Sequence, residues 1–257
     1  MNGGTLHDGK LFLTTNGGNA PAVYSCSLPT RKFEVSETIN CKPVVNNYRL
    51  NHLNSPNDLI FTSAENILFT DPTYGWAQSW PGLGPPELPT AVYHFDMKTK
   101  ALVALTHDIL QPNGLALSKD EKTFYVADSN STSGKPIGVW QDSVRNVYAY
   151  DWNESKLSLS NKRLVHSVER GWPDGLRITH TKDGRELLLV ASNGGADVVD
   201  VSKGGAGALL GKLNVGDDII FNLEPIKGRS ARDGKEKDEA VWLLCGRKAI
   251  YQFTFAG

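Results

Sequence analysis

Asparagine or aspartate recurs at the head of similar turns, at Asn2, Asn57, Asn113, Asp174 and Asn222. Their amide and carboxylate oxygens are hard donors. Gathered at one point, such oxygens suit a divalent cation that takes roughly six to eight of them, calcium above all, with other divalent cations possible. Asp174 is the one carboxylate at the repeated position and therefore the best candidate base. Beside a bound cation a carboxylate stays ionised at neutral pH. It can then take a proton from a metal-polarised water or attack an electrophile directly. The same residue types also make good turns ahead of strands. The residues alone leave open both a metal site and plain scaffold turns.

The elements that must position these residues repeat. Gln111-Pro112-Asn113-Gly114 is turn chemistry, Leu115-Ala116-Leu117 is a short apolar run, Ser118 to Lys122 is a polar loop, and Thr123 to Asp128 is a second apolar run. Proline fixes φ, and Asn and Gly tolerate positive φ, so the unit reads turn, strand, loop, strand. A hairpin returns the chain to its starting end, which places Asn113 and Asp128 together. The same grammar runs from Asn57 through Ile60-Phe61-Thr62 to Asp71, from Asp174 through Ile178 to Ser192, and from Asn2 over Asp8-Gly9 to Thr15, with a weaker copy near Asn222. A β unit repeated about every 55 residues indicates radial or solenoid repetition. Val92 to Phe95, Val147 to Tyr150 and Val198 to Val201 supply third strands. The expectation is an all-β propeller of about five blades, occupying residues 1–257 as one domain.

The composition is that of an ordinary globular protein, 40% hydrophobic and 21% charged, with a formal net charge of −1. That balance argues against nucleic acid or an acidic membrane as the main partner. No apolar run reaches transmembrane length and no signal peptide opens the chain. Compartment stays unassigned. The three cysteines, Cys26, Cys41 and Cys245, lack CxxC spacing. Cys26 and Cys41 could pair, although buried free thiols are the default expectation. The six histidines share no spacing and none is assigned to catalysis. Asp71 and Asp128 could cap the turns after their strands, the favoured reading for Asp128.

Two loops interrupt equivalent positions, Tyr74 to Pro89 and Asn130 to Asp142, and both should emerge at the Asp71 and Asp128 end. Long loops gathered at one end of a β scaffold shape a binding mouth. The charged run 227–239 reads as a surface loop. From Asn222 onward there is room for strands near 219–223, 241–244 and 250–255, so the ring is expected either to carry an open seam or to lack an upstream blade.

In order and spacing, Asn54-Ser55-Pro56-Asn57-Asp58-Leu59, Phe69-Thr70-Asp71-Pro72-Thr73-Tyr74-Gly75, Pro112-Asn113-Gly114-Leu115-Ala116 and Pro173-Asp174-Gly175-Leu176 resemble the senescence-marker-protein, gluconolactonase and lactonohydrolase family of calcium-dependent six-bladed propellers. The Phe-Thr-Asp-Pro-Thr-Tyr-Gly form is most similar to the fungal lactonohydrolase branch. The resemblance implies calcium held by Asn57, Asn113 and Asp174, with Asp174 the catalytic carboxylate and Asp71 the second acidic candidate. It implies substrate contact at Asn57 and Tyr74. The family's first-blade Glu-Gly-Pro turn is absent from this sequence, so the chain is expected to begin at the second blade. Ser55 stands where the senescence-marker branch has a substrate-contacting Arg, so that branch's substrate preference does not carry over. The expected activity is calcium-dependent hydrolysis of a small-molecule lactone. The rival expectations are a non-catalytic binding scaffold or inactive fragment, and a strictosidine-synthase-like relative with condensation chemistry.

Overall fold

The computed structural model describes residues 2–17, 21–28, 38–133, 142–203, 207–227, 230–232, 235–237 and 240–254. Strands β1 (Gly4–His7), β2 (Lys10–Thr15), β3 (Ala22–Ser27) and β4 (Cys41–Val45) are neighbours in chain order in a four-stranded sheet. Asp8 and Gly9 join β1 to β2 with positive φ at both positions (45° and 69°), which only a short polar residue and glycine adopt at little cost. A short hairpin, β5 (Asn47–Tyr48) and β6 (Asn51–His52), follows.

The second four-stranded sheet contains β7 (Leu59–Phe61), β8 (Ile67–Asp71), β9 (Ala91–Phe95) and β10 (Leu102–Thr106), with the helical turn α1 (Tyr74–Ala77) between β8 and β9. The third runs β11 (Pro112–Leu117), β12 (Thr123–Asp128), β13 (Asn146–Asn153) and β14 (Ser158–Ser167). The last sheet has five strands, β15 (Leu176–His180), β16 (Glu186–Asp200) and β17 (Ala208–Lys227), then β20 (Ala240–Gly246) and β21 (Ile250–Thr254), with a hairpin of β18 (Ser230–Arg232) and β19 (Lys235–Lys237) inserted in sequence before β20. Consecutive antiparallel meanders of this kind are propeller blades. The protein is all-β with a propeller fold.

The long strands of the last sheet are folded ribbons. Val201 donates its main-chain N–H to Glu186 at 2.9 Å, so β16 doubles back through Gly194 and Gly195, both at positive φ. The first part of β17 pairs with Ala196–Asp200, and its second part pairs with β20. The second part of β17, β20 and β21 are therefore the three strands of the weak fifth repeat, carried on the sheet of the fourth.

Strands β8 and β9 are buried at every residue, polar Thr70, Asp71 and His94 included, whereas the outlying β21 alternates exposed and half-buried. The chain divides into two compact units: Met1–Leu115 with Thr132–Trp140 and Asn153–Leu159, and Ala116–Ser131 with Gln141–Trp152 and Ser160–Gly257. The first has a core of Phe12, Val23, Leu59, Ile67, Phe69 and Tyr93. The second has one cluster around Tyr125, Leu188 and Val199 and another around Leu189, Ile220 and Trp242. Among the described residues no helix is long and apolar enough to cross a membrane.

Two expectations are corrected here. Cys26 and Cys41 form a disulfide, because the β3–β4 register sets them directly opposite, Cα atoms 4.0 Å apart. Cys245 remains a free thiol, pushed up in pKa by burial. The run 227–239 is not simply a loop: Ser230–Arg232 and Lys235–Lys237 pair as a hairpin. Most of the second long loop, residues 134–141, lies outside the described residues.

Candidate active site

The repeated turns share one backbone pattern. The main-chain N–H of Asn2 donates to Thr14, that of Asn57 to Thr70, and that of Asp174 to Ala191, at 2.8–2.9 Å in each case. The return bonds run from Thr14 to Gly3, from Thr70 to Asp58 and from Ala191 to Gly175. Positions 2, 57 and 174 therefore hold equivalent places at the leading ends of their sheets, as the repeat predicts.

Position 222 does not. Gly3 donates its N–H to the carbonyl of Asn57, and Gly175 makes the corresponding bond to Phe221. The Oδ1 of Asn222 accepts the N–H of Leu223 at 2.8 Å, just as the Oδ1 of Asp58 accepts that of Leu59 at 2.9 Å. Asn222 is the counterpart of Asp58, and Phe221 takes the place of the expected oxygen donor. The leucine spacing agrees, since Leu223 follows Phe221 as Leu59 follows Asn57, and the β17–β20 register shifts between Ile220 and Asn222.

In the first unit, threonine hydroxyls tie one turn to the next. Thr14 Oγ1 donates to the Asn57 carbonyl, and Thr70 Oγ1 donates to the Asn113 carbonyl at 2.8 Å, each across 43 residues. Thr70 Oγ1 also accepts the N–H of Asp58 at 3.1 Å. The backbones of Asn57 and Asn113 are held from several sides. Each residue is 4% exposed, and neither side-chain amide has a hydrogen-bond partner among the described residues. Neither amide is sealed from solvent, and two unpaired amides at the expected ligand positions fit a set of oxygen donors open to a hard cation.

Asp71 is wholly buried at the end of β8. Its Oδ2 accepts the N–H of Asn54 at 2.9 Å and its Oδ1 that of Ser55 at 2.7 Å. Burial pushes its carboxyl up to about 7, against the opposing pull of the two N–H groups. The hydrogen bonds do not run to the turn after its own strand, as the capping reading expected; they fix the turn that carries Asn57. Ser55 Oγ donates to the Pro72 carbonyl at 2.6 Å, and Gln111 exchanges two hydrogen bonds with Thr73. Tyr74, the expected substrate contact, starts α1 and is only 5% exposed. Gln78 Nε2 donates to the Ser133 carbonyl at 2.8 Å, so the two long loops meet, as their equivalent positions required.

In the second unit, Asp174 is half-buried and its Oδ2 accepts the indole N–H of Trp172 at 2.9 Å. Ser129 Oγ donates to the Pro173 carbonyl and Ser131 Oγ to that of Gly171, so the end of β12 anchors the turn that presents Asp174. One network escaped sequence reasoning. Asp197 accepts from His166 at 2.8 Å and from Lys212 at 3.0 Å, and Lys212 Nζ donates to Ser192 Oγ at 2.9 Å. Burial works against ionisation of Asp197, but the hydrogen bonds from His166 and Lys212 and the Lys212 charge hold its carboxyl below its ordinary range. The only sequence signal was Ser192 at the position of Asp71. Among the described residues no group of three or more His, Cys, Asp or Glu is set to hold a metal.

Residues 5–220 match the SMP-30/gluconolactonase/LRE-like region. The chain belongs to this family. It is 30% identical over 220 residues to a lactonohydrolase of Aspergillus oryzae, covering 79% of this chain and 47% of that protein. It is 31% identical over 196 residues to a gluconolactonase of Zymomonas mobilis, covering 73% and 48%. The chain thus spans about half the length of the curated relatives it matches. Among solved structures, a gluconolactonase of Xanthomonas campestris superposes with a TM-score of 0.68 at 26% identity, over 95% of this chain and 67% of that one.

Proposed function

We propose that this chain carries the site of a lactone-opening hydrolase dependent on calcium or a similar divalent cation. The observation that carries the reading is that Asn57 and Asn113, each 4% exposed, keep side-chain amides with no partner among the described residues and with access to solvent, on backbone positions of which the sole carboxylate counterpart is Asp174. Relatives named lactonohydrolase and gluconolactonase supply the reaction class.

Asn57, Asn113 and Asp174 would hold the cation, which when bound supplies Lewis-acid polarisation of a lactone carbonyl and charge to stabilise the oxyanion. Asp174 acts as general base and takes a proton from the attacking water. The water oxygen bonds to the carbonyl carbon, the ring C–O bond breaks, and the leaving alkoxide takes the proton back from Asp174 to become the hydroxyl of a hydroxy acid. Trp172 orients the Asp174 carboxylate through its indole N–H. Asp71 acts one step back, by fixing the Asn54 and Ser55 backbone ahead of Asn57.

The test is isothermal titration of calcium into the parent and into Asn113→Ala, alongside acid release from a lactone. The reading expects parent binding, at least tenfold weaker binding in the variant, and partial rescue of turnover by excess calcium. A parent that binds calcium yet opens none of a panel of lactones would favour a binding scaffold.

A further inference from the structure

In the repeated turns two residues oppose one on the next strand. Asn57 donates its N–H to Thr70, which returns its own to Asp58, and Asp174 and Gly175 do the same with Ala191. In β17 the corresponding extra residue is Phe221, between the Ile220–Gly246 and Asn222–Cys245 pairs. The neighbouring contacts agree. The Phe221 carbonyl accepts from Gly175 at 2.8 Å, as the Asn57 carbonyl accepts from Gly3 at 2.6 Å. A Cβ added to Gly175 would lie 2.4 Å from Asn222 Oδ1, and one added to Gly3 would lie 2.5 Å from Asp58 Oδ1. A phenyl ring is therefore carried beside the Asp174 turn, at a place where positions 2, 57 and 113 carry amides. Phe221 is 37% exposed, whereas Phe12, Phe69, Phe95 and Phe124 are at most 4% exposed. It makes no ring contact among the described residues.

We propose that Phe221 is a specificity residue, which packs on the apolar face or alkyl substituent of a lactone held at the Asp174 turn and disfavours polyhydroxylated ones. The inference rests on the lactonase reading and names the substrate class of that site. An amide at this place would exchange hydrogen bonds with sugar hydroxyls. A phenyl ring does not, so a hydroxyl pressed against it gives up its bonds to water without replacement. An alkyl chain laid on the same ring instead removes apolar surface from water on both partners. The bond from Gly175 ties the ring's backbone to the residue that follows the candidate base. Alkyl-substituted lactones are then the preferred substrates, ahead of sugar lactones.

The test reads binding and turnover separately. δ-Decanolactam carries an alkyl chain and gluconolactam carries hydroxyls, and both resist hydrolysis, so isothermal titration in the presence of calcium reads binding alone. The parent should bind the alkyl lactam at least tenfold tighter than the sugar lactam. Phe221→Asn, which restores the amide of the other turns, should weaken binding of the alkyl lactam about tenfold or more and erase the preference. Phe221→Leu keeps an apolar side chain and should keep the preference, which separates loss of contact from loss of fold. The matching lactones, δ-decanolactone and glucono-δ-lactone, should follow the same order in kcat/KM. A parent that binds neither lactam, or binds the sugar lactam as tightly as the alkyl one, overturns the proposal. So does a preference that survives in Phe221→Asn, even where both lactones are opened. A preference that depends on Phe221, with neither lactone opened, would sink the lactonase reading and leave the Phe221 contact standing.

Discussion

Asp71 Oδ1 accepts the main-chain N–H of Ser55 at 2.7 Å from a position with no solvent exposure. A wholly buried carboxyl that organises a turn makes that turn sensitive to pH. Its folded-state value, about 7, lies above the ordinary carboxylate value of 3.8. The raised value means that the folded chain holds a proton that the unfolded chain releases. The stability from this group is fully present below pH 3.8 and is lost as pH rises through about 7. Asp71→Asn should flatten the stability curve in that window, by on the order of a few kcal/mol. Urea unfolding of parent and variant between pH 4 and 8 checks this. Parallel curves would show that the carboxyl is not the source.

Thr70 offers a separate test of how the turns are coupled. Its hydroxyl accepts from Asp58 and donates to the carbonyl of Asn113 in a fully buried position. Thr70→Val keeps the shape and removes both bonds, so it should destabilise the fold by about 1–3 kcal/mol. Thr70→Ser, which keeps the hydroxyl, should recover most of the loss. Because the lost bond also positions Asn113, calcium affinity should fall in the valine variant and not in the serine variant.

Much of this was legible in the sequence. The turn–strand–loop–strand grammar located positions 2, 57, 113 and 174, because Pro, Asn and Gly impose the turn before any packing is considered. Position 222 is misplaced because asparagine alone is a weak marker: leucine stands two residues after Asn57, Asn113 and Asp174, and that spacing before Leu223 marks Phe221. Other failures lie in how strands are set against each other. The Cys26–Cys41 bridge was left open because it depends on how β3 lies against β4. The Asp197 network was invisible for a similar reason, since His166, Asp197 and Lys212 come from three different strands.

The disulfide itself should be measurable. It closes a loop of 15 residues, for which chain entropy gives a stabilisation of about 3 kcal/mol. Reduction, or Cys26→Ala with Cys41→Ala, should lower the urea midpoint accordingly without abolishing the fold. Because Cys26 and Cys41 lie on the outer strands β3 and β4, turnover per folded molecule should be unchanged.

Trp172 is the residue whose loss should separate orientation from binding. Trp172→Phe removes the indole N–H from Asp174 Oδ2 while keeping an aromatic ring. The carboxylate then loses one restraint, and kcat should fall by roughly three- to tenfold with KM little changed, as for an interaction that positions a general base. An equal rise in KM at constant kcat would mean that Trp172 serves ground-state binding instead.

The central claim is that Asp174 is the base of a lactone-opening hydrolase. Asp174→Asn keeps the shape and one oxygen donor but removes the proton acceptor. The deciding measurement is acid release from a lactone by parent and variant at saturating calcium, followed in a pH-stat. The account predicts that kcat falls by about a hundredfold or more, within the range attributed to general-base catalysis, even where calcium occupancy is restored. Hydrolysis by Asp174→Asn at the parent rate would contradict it.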